Sequence, residues 1–188
     1  MEYTMQDRVQ KIIEACLKTE RKDPVKIFRE IASADFVRIH GPEHHIQDGA
    51  CVLTAYRKAG GAIDLKAALE KLAAEGLKMP GATCGLWGVC GSATSIGAAL
   101  AIIDGTGPLS TDSSWGKHMA YTSAVLKRMS EIGGPRCCKR HAFTAISEAI
   151  RYMNENYGTD MPAAEIKCGY AARNAQCIGE RCPYYPEA

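Results

Sequence analysis

The chain has 188 residues, of which 46% are hydrophobic and 23% charged, and its formal net charge is +2. This length and composition are typical of one globular domain with its own core. The small net charge argues against a large basic surface for nucleic acid, and no apolar run reaches the roughly 18 residues of a membrane span. Because the charged N-terminal segment lacks the apolar stretch of a signal peptide, we expect a cytoplasmic protein.

Helical periodicity dominates the first half of the chain. The first predicted helix has apolar residues at the spacing of one helix face, namely Val9, Ile12, Ile13, Cys16 and Leu17. Asp23 followed by Pro24 marks the start of a second helix, which extends to about Asp35. A third helix is predicted from about residue 45 to residue 59, and Asp64 caps a fourth.

The second half predicts three more helices. Residues 92–103 are apolar nearly all round, which is typical of a central, buried helix. Further helices are predicted from Ser113 or Ser114 to Ile132 and over residues 141–157. The best strand candidate, FVRI at residues 36–39, is short. We therefore predict an all-α, single-domain bundle of about seven helices over residues 1–188, with an irregular, cysteine-rich C-terminal tail that frays unless something holds it.

Nine cysteines make up the unusual part of the composition. In a reducing compartment an odd number favours metal ligation or thiol chemistry over disulfides. Cys16 and Cys51 lie inside helical patterns and are predicted to be small buried hydrophobic residues. The other seven lie at connections and form three groups: Cys84 with Cys90, Cys137 with Cys138, and Cys168 with Cys177 and Cys182.

Loop backbone can bring several sulfurs to one point, whereas adjacent side chains on a helix diverge. The nearby cations Arg136, Lys139 and Arg140, together with helix N-termini, are expected to lower the thiol pKa values. The spacings are wider than a zinc knuckle and suit the larger core of an iron–sulfur cluster. The predicted ligands of one or two such clusters, most simply of the 4Fe–4S type, are Cys84, Cys90, Cys137, Cys168, Cys177 and Cys182, and the last three form one set with Cys137 or Cys138. Zinc is the alternative, and Cys138 is a further candidate ligand, although adjacent cysteines rarely both reach one centre.

The segment RIHGPEHHIQDGA concentrates polar groups at residues 38–50. Its histidines His40, His44 and His45 can ligate metal or transfer protons near neutral pH, and Glu43 can act as a base or orient a histidine. These four residues are the predicted catalytic group. The alternative is a helix N-terminus in which Glu43 interacts favourably with the helix dipole and the histidines are partly solvated.

Four motifs taken together resemble a known family. These motifs are HGPEHH, CGLWGVCGSATSIG, GGPRCCKRH and QCIGERCPYY. They resemble an uncharacterised, cysteine-rich domain family of anaerobic bacteria and methanogenic archaea, over roughly residues 36–185. The resemblance implies an anaerobic, cytoplasmic setting in which exposed iron–sulfur clusters survive, and it implies no particular activity.

Three hypotheses for function follow. The first is an iron–sulfur enzyme of the lyase, hydratase or desulfidase type acting on a small molecule, with a cluster iron left open by three cysteines and acid–base groups from the histidine segment. The second is a non-enzymatic module that binds zinc or a cluster and carries electrons or binds a partner protein. The third is a metal-free thiol enzyme that uses Cys84 with Cys90, or Cys137 with Cys138, as a redox pair. A homodimer is compatible with each.

Overall fold

The structure, a computed structural model, describes residues 2–163 and 165–186 and contains eight α-helices and two 3₁₀ helices in them. The α-helices are α1 (Met5–Lys18), α2 (Pro24–Ala32), α3 (His44–Lys58), α4 (Leu65–Gly76), α5 (Thr83–Leu86), α6 (Gly91–Ile103), α7 (Ser114–Ile132) and α8 (Cys138–Tyr157). The 3₁₀ helices, Ala171–Arg173 and Gly179–Arg181, lie in the tail. The described residues form no strand, and the predicted all-α single domain is confirmed. None of the described helices has both the length and the apolar character needed to cross a membrane.

Two predicted helix caps are confirmed. The Asp23 carboxylate accepts the backbone N–H of Val25 at 2.9 Å, and Pro24 occupies the first position of α2. Asp64 accepts the N–H of Ala67 at 3.1 Å at the start of α4. Both carboxylates satisfy N–H groups that have no partner inside the helix, so each helix begins at the residue that the sequence indicates.

Helix α6 is the centre of the bundle and contacts α3, α4, α7 and α8. Most of its side chains are buried, which confirms the predicted central helix. Small residues allow α3 to approach closely: Gly49 donates its N–H to Ser95 Oγ at 2.9 Å, and a Cβ at Gly49 would collide with the Ser95 backbone. The core around α6 also contains Cys16 and Cys51, both 0% exposed, as predicted.

Residues 36–39, the short strand candidate, form turns and bends, in agreement with the predicted all-α fold; Arg8 donates to the Phe36 carbonyl, and the Arg38 N–H donates to Glu43. Two helix boundaries and one short helix differ from the prediction. Helix α2 ends at Ala32, three residues early. Helix α8 begins three residues before the predicted start, and the short helix α5 was not predicted at all.

The C-terminal tail is irregular, as predicted, and is held against the bundle. Its two ends pair with each other, since the N–H of Cys168 donates to the carbonyl of Tyr184 at 2.7 Å. Tyr184 Oη donates to Thr144 Oγ1 of α8 at 3.1 Å, and Arg29 of α2 donates to the Lys167 carbonyl at 2.6 Å. These contacts place the three tail cysteines beside the N-terminus of α8.

Candidate metal and histidine site

The start of α8 separates two adjacent cysteines. Cys137 is the extended N-cap residue (φ −149°, ψ 105°), and Cys138 is the first helical residue. Cys137 lines one cavity, here called the four-cysteine cavity, with Cys168, Cys177 and Cys182. Cys138 lines a second cavity, here called the histidine pocket, together with Cys84, Cys90, His40, His44, His45 and His141. All seven cysteines predicted at connections therefore line one of two neighbouring cavities, four in one and three in the other.

The four-cysteine cavity is small and largely apolar. Its volume is about 20 Å³, which is room for about one water molecule. Its sulfurs accept hydrogen bonds: Cys137 Sγ accepts the Arg140 N–H and the Asn174 Nδ2–H, both at 3.4 Å, and Cys168 Sγ accepts the Tyr170 N–H at 3.3 Å. Such donors stabilise a thiolate over a thiol.

Four of the thiols in the two cavities have raised pKa values. Burial raises the pKa of Cys90 to about 11 and that of Cys138 to about 12, and it also raises the pKa values of Cys168 and Cys182. The expectation that helix N-termini and cations would lower the thiol pKa values is therefore wrong for Cys90 and Cys138, because the loss of hydration outweighs both effects. A metal ion would supply the missing positive charge and release the protons.

The histidine pocket has a volume of about 130 Å³ and lies where the N-termini of α3, α6 and α8 meet. Cys90 is the N-cap residue of α6, and its Sγ lies 3.2 Å from His141 Nδ1 of α8. Burial lowers the pKa of His141 to about 4, so its imidazole is neutral at pH 7. A neutral imidazole next to a thiol is a pair of soft donors suited to metal. Among the described residues, no aspartate or glutamate lines this pocket.

His40 has both ring nitrogens engaged. Its Nδ1 accepts the backbone N–H of Cys138 at 3.4 Å, so the proton is on Nε2, which donates to Asn174 Oδ1 at 2.9 Å. The same Asn174 amide donates to Cys137 Sγ. His40 thus connects the wall of the histidine pocket to the four-cysteine cavity, and neither nitrogen is free to transfer a proton.

His44 is also committed to buried partners. Its Nε2 accepts a hydrogen bond from Lys139 Nζ at 3.0 Å, which leaves the ring proton on Nδ1, 3.4 Å from Asp48 Oδ1. All three side chains are at most 1% exposed. Burial lowers the pKa of Lys139 to about 8. This chain was not predicted, because its members come from α3 and α8, about 90 residues apart in the sequence.

Glu43 is fully buried and forms a two-pronged ion pair with Arg38. Burial opposes its ionisation, but hydrogen bonds from the Arg38 guanidinium and backbone N–H outweigh burial and lower the pKa of this carboxyl from 4.5 to about 2. A carboxylate with so low a pKa is a weak base at neutral pH. The geometry therefore favours a role for Glu43 in shaping the turn that carries the histidines.

His45 differs from the other members of the histidine segment. Its Nδ1 is buried and has no hydrogen-bond partner among the described residues, and its ring lines the histidine pocket. The ring lies directly over Gly91, where a Cβ would collide with it. Burial lowers the pKa of His45 and outweighs the opposing effect of a hydrogen bond with the Met79 backbone, so the ring is neutral at pH 7. Of the four predicted catalytic residues, His45 alone has a free ring nitrogen in this geometry.

The candidate ligands line the four-cysteine cavity and the histidine pocket, but in neither cavity do three of them converge on one metal position. Among the described residues, no group of three or more histidine, cysteine, aspartate and glutamate side chains is placed to hold one metal ion. A tetrahedral zinc site, with Zn–S bonds of about 2.3 Å, needs sulfurs within about 4 Å of one another. A single ion therefore requires each set of side chains to close in, whereas a cluster of several irons requires the four-cysteine cavity to open.

These features define a helical protein in which thiols and imidazoles collect at the N-termini of α6 and α8, around two adjoining cavities. The chain belongs to DUF5714, a family of unknown function, which matches residues 12–185. The match includes the whole span over which the four motifs resemble a family. No curated protein and no solved structure matches the chain.

Proposed function

We propose that this protein is an iron–sulfur enzyme that acts on a small molecule by a lyase, hydratase or desulfidase type of reaction. The observation that carries the proposal is the division of seven thiols between two adjoining cavities. Four cysteines complete the ligand set of a 4Fe–4S cluster, and three leave one iron without a protein ligand. We assign the closed cluster to the four-cysteine cavity and the open cluster to the histidine pocket.

The preference for clusters over single ions rests on the wide cysteine spacings in the sequence, because a cluster has a core larger than one ion. The four-cysteine cavity, at about 20 Å³, must widen to take a cluster. Its tail ligands Cys168, Cys177 and Cys182 lie in turns and beside short 3₁₀ helices, so they can move without breaking a long helix.

Cys84, Cys90 and Cys138 would hold the open cluster in the histidine pocket, and its free iron would supply a Lewis acid for the oxygen or sulfur leaving group of a substrate. His45 Nδ1, which has no internal partner, takes the proton from the substrate. His40 and His44 hold the pocket in shape through the hydrogen bonds to Asn174 and Lys139.

The experiment is purification without oxygen, followed by measurement of iron, acid-labile sulfide and zinc and by a visible spectrum. We expect a brown protein with broad absorbance near about 400 nm and about eight irons and eight sulfides per chain. Stoichiometric zinc without sulfide would overturn the cluster assignment in favour of a zinc module. A colourless, metal-free protein would favour thiol–disulfide chemistry.

Cysteine-to-serine variants test which cavity binds which of the two proposed clusters. Cys177→Ser should remove the iron of the four-cysteine cavity, and Cys84→Ser should remove that of the histidine pocket, each lowering the iron content by about half. Cys51→Ser is the matched control, since Cys51 is fully buried in the core and lines neither cavity. Iron content that falls equally in all three variants would contradict the assignment.

A further inference from the structure

A second cavity adjoins the histidine pocket and takes no part in the proposed reaction. It is a groove of about 430 Å³, here called the apolar groove, lined by Gly85 and Gly88, by Leu126 and Met129 of α7, and by Pro135. Its surface is largely apolar, and its volume lies in the range of about 300–1,000 Å³ that is typical of small-molecule sites. The apolar groove is therefore a candidate ligand site.

The apolar groove reaches the groups that the proposed function places in the histidine pocket. Four residues line both cavities: Cys84, Cys90, Arg136 and His141. A molecule in the groove therefore contacts the wall in which Cys90 Sγ lies 3.2 Å from His141 Nδ1. A groove that ends at these side chains is suited to hold the body of a substrate.

Arg136 gives the groove a charge preference. It is exposed, it is the one lysine or arginine in the described lining of the groove, and no described aspartate or glutamate lines it. Arg136 also stays outside the ion pairs formed in the described part of the chain, whereas Arg38, the other arginine of the histidine pocket, is paired with Glu43. A guanidinium binds a carboxylate through two parallel N–H donors. One unpaired cation therefore favours a ligand with one negative charge.

The rim of the groove carries two exposed apolar side chains. Leu86 is 76% exposed and Trp87 is 64% exposed. They stand in the sequence between Gly85 and Gly88, both of which line the groove. Exposed apolar side chains beside an apolar cavity are typical of a binding groove. The groove and its rim therefore favour a ligand with an apolar body.

We infer that the apolar groove binds the substrate of the proposed enzyme, and that this substrate is a small carboxylic acid with an apolar body. Arg136 holds the carboxylate, and Leu126 and Met129 contact the apolar body. The inference rests on the proposed function for the role of substrate, whereas binding in the groove needs no metal.

The test uses hexanoate, which combines a carboxylate with an apolar chain, as a probe. Its binding to the full chain, purified without oxygen, is measured by equilibrium dialysis of radiolabelled hexanoate. Acetate has a shorter apolar chain and hexanol has no charge, so each should displace hexanoate about tenfold less effectively than unlabelled hexanoate does.

Variants of Arg136 test its role as the carboxylate partner. Arg136→Gln should weaken hexanoate binding about tenfold, because a charge-assisted pair is lost. Arg136→Lys keeps the charge and should weaken binding less. Arg57→Gln, at an exposed position of α3 that lines neither cavity, is the matched control and should bind hexanoate as wild type does. Iron is measured in every variant, because Arg136 precedes Cys137.

The outcomes separate the inference from the proposed function. Equal affinity of wild type and Arg136→Gln would overturn the assignment of the carboxylate to Arg136. Displacement by acetate or by sulfate as effective as that by hexanoate would show a general anion site and would overturn the apolar part of the inference. Binding that depends on Arg136, in a protein without iron and sulfide, would support the groove as a carboxylate site and overturn the iron–sulfur enzyme.

Discussion

The ion pair between Glu43 and Arg38 allows a quantitative test of the role of the histidine segment. Replacing Glu43 by glutamine keeps the shape of the side chain and removes its charge. Because one pKa unit corresponds to about 1.4 kcal/mol, the drop in pKa from 4.5 to about 2 corresponds to about 3 kcal/mol of stability at neutral pH. Water around Arg38, whose side chain is 46% exposed, screens the pair, so we expect Glu43→Gln to cost about 1–3 kcal/mol.

The assay is denaturant unfolding of the metal-free protein as a function of pH. The folded pKa of Glu43 is lower than the unfolded value, so its ionisation stabilises the fold fully above pH 4.5 and progressively less as the pH falls toward 2. The difference in unfolding free energy between wild type and Glu43→Gln should therefore be constant near neutral pH and should shrink from about pH 4.5 downward. Taking this difference cancels the titration of the other carboxyl groups.

A matched control uses Glu20, whose side chain is 86% exposed and pairs with Lys58 at 2.9 Å. Glu20→Gln should change stability by less than about 0.5 kcal/mol. The reasoning would be refuted if Glu43→Gln were as stable as wild type at neutral pH, or if the difference grew as the pH fell. The first result would mean that Glu43 titrates near its ordinary pKa, and the second that the fold raises this pKa; in both cases Glu43 would be available as an acid or base.

Two further predictions follow from the geometry of the site. Gly91→Ala should destabilise the fold by about 1–3 kcal/mol, because its Cβ would collide with the His45 ring. Gly116→Ala, whose Cβ meets nothing within 4 Å, should be neutral or stabilising, and equal thermal unfolding of the two variants would contradict the packing argument. Trypsin should cleave after Arg173 and Arg181 more slowly in metal-loaded than in metal-free protein, because a metal centre joins the tail to α8. Cys177→Ser should abolish this protection, and protection that persists in the variant would show that the tail is held by its other contacts.

The helices could be predicted because their signals are local. The apolar spacing from Val9 to Cys16 and the caps at Asp23 and Asp64 involve residues within two turns of each other, and the structure confirms all of them. The start of α8 was predicted three residues late, since Cys137 is not a usual capping residue. Its Sγ accepts the Arg140 N–H and so caps the helix.

The partners inside the site could not be predicted, because they depend on packing between distant segments. Asn174 lies 134 residues from His40, and Lys139 lies 95 residues from His44. No spacing in the sequence relates these pairs. The sequence also shows Lys139 and Arg140 only as charges next to cysteines, which predicts lowered thiol pKa values. The burial of Cys90 and Cys138, which raises their pKa values and reverses that prediction, is a property of the folded structure.

The walls of the four-cysteine cavity and the histidine pocket are joined by a peptide bond and by a hydrogen bond, so a change in the shape of one cavity affects the other. Cys137 and Cys138 share a peptide bond yet line different cavities. The Asn174 side chain joins them a second time, since its Oδ1 accepts from His40 and its Nδ2 donates to Cys137 Sγ. A metal centre that fixes Cys137 and the tail would also fix Asn174, and through it the orientation of His40 against the Cys138 N–H. Loading of the four-cysteine cavity would therefore shape the wall of the histidine pocket before a substrate enters it.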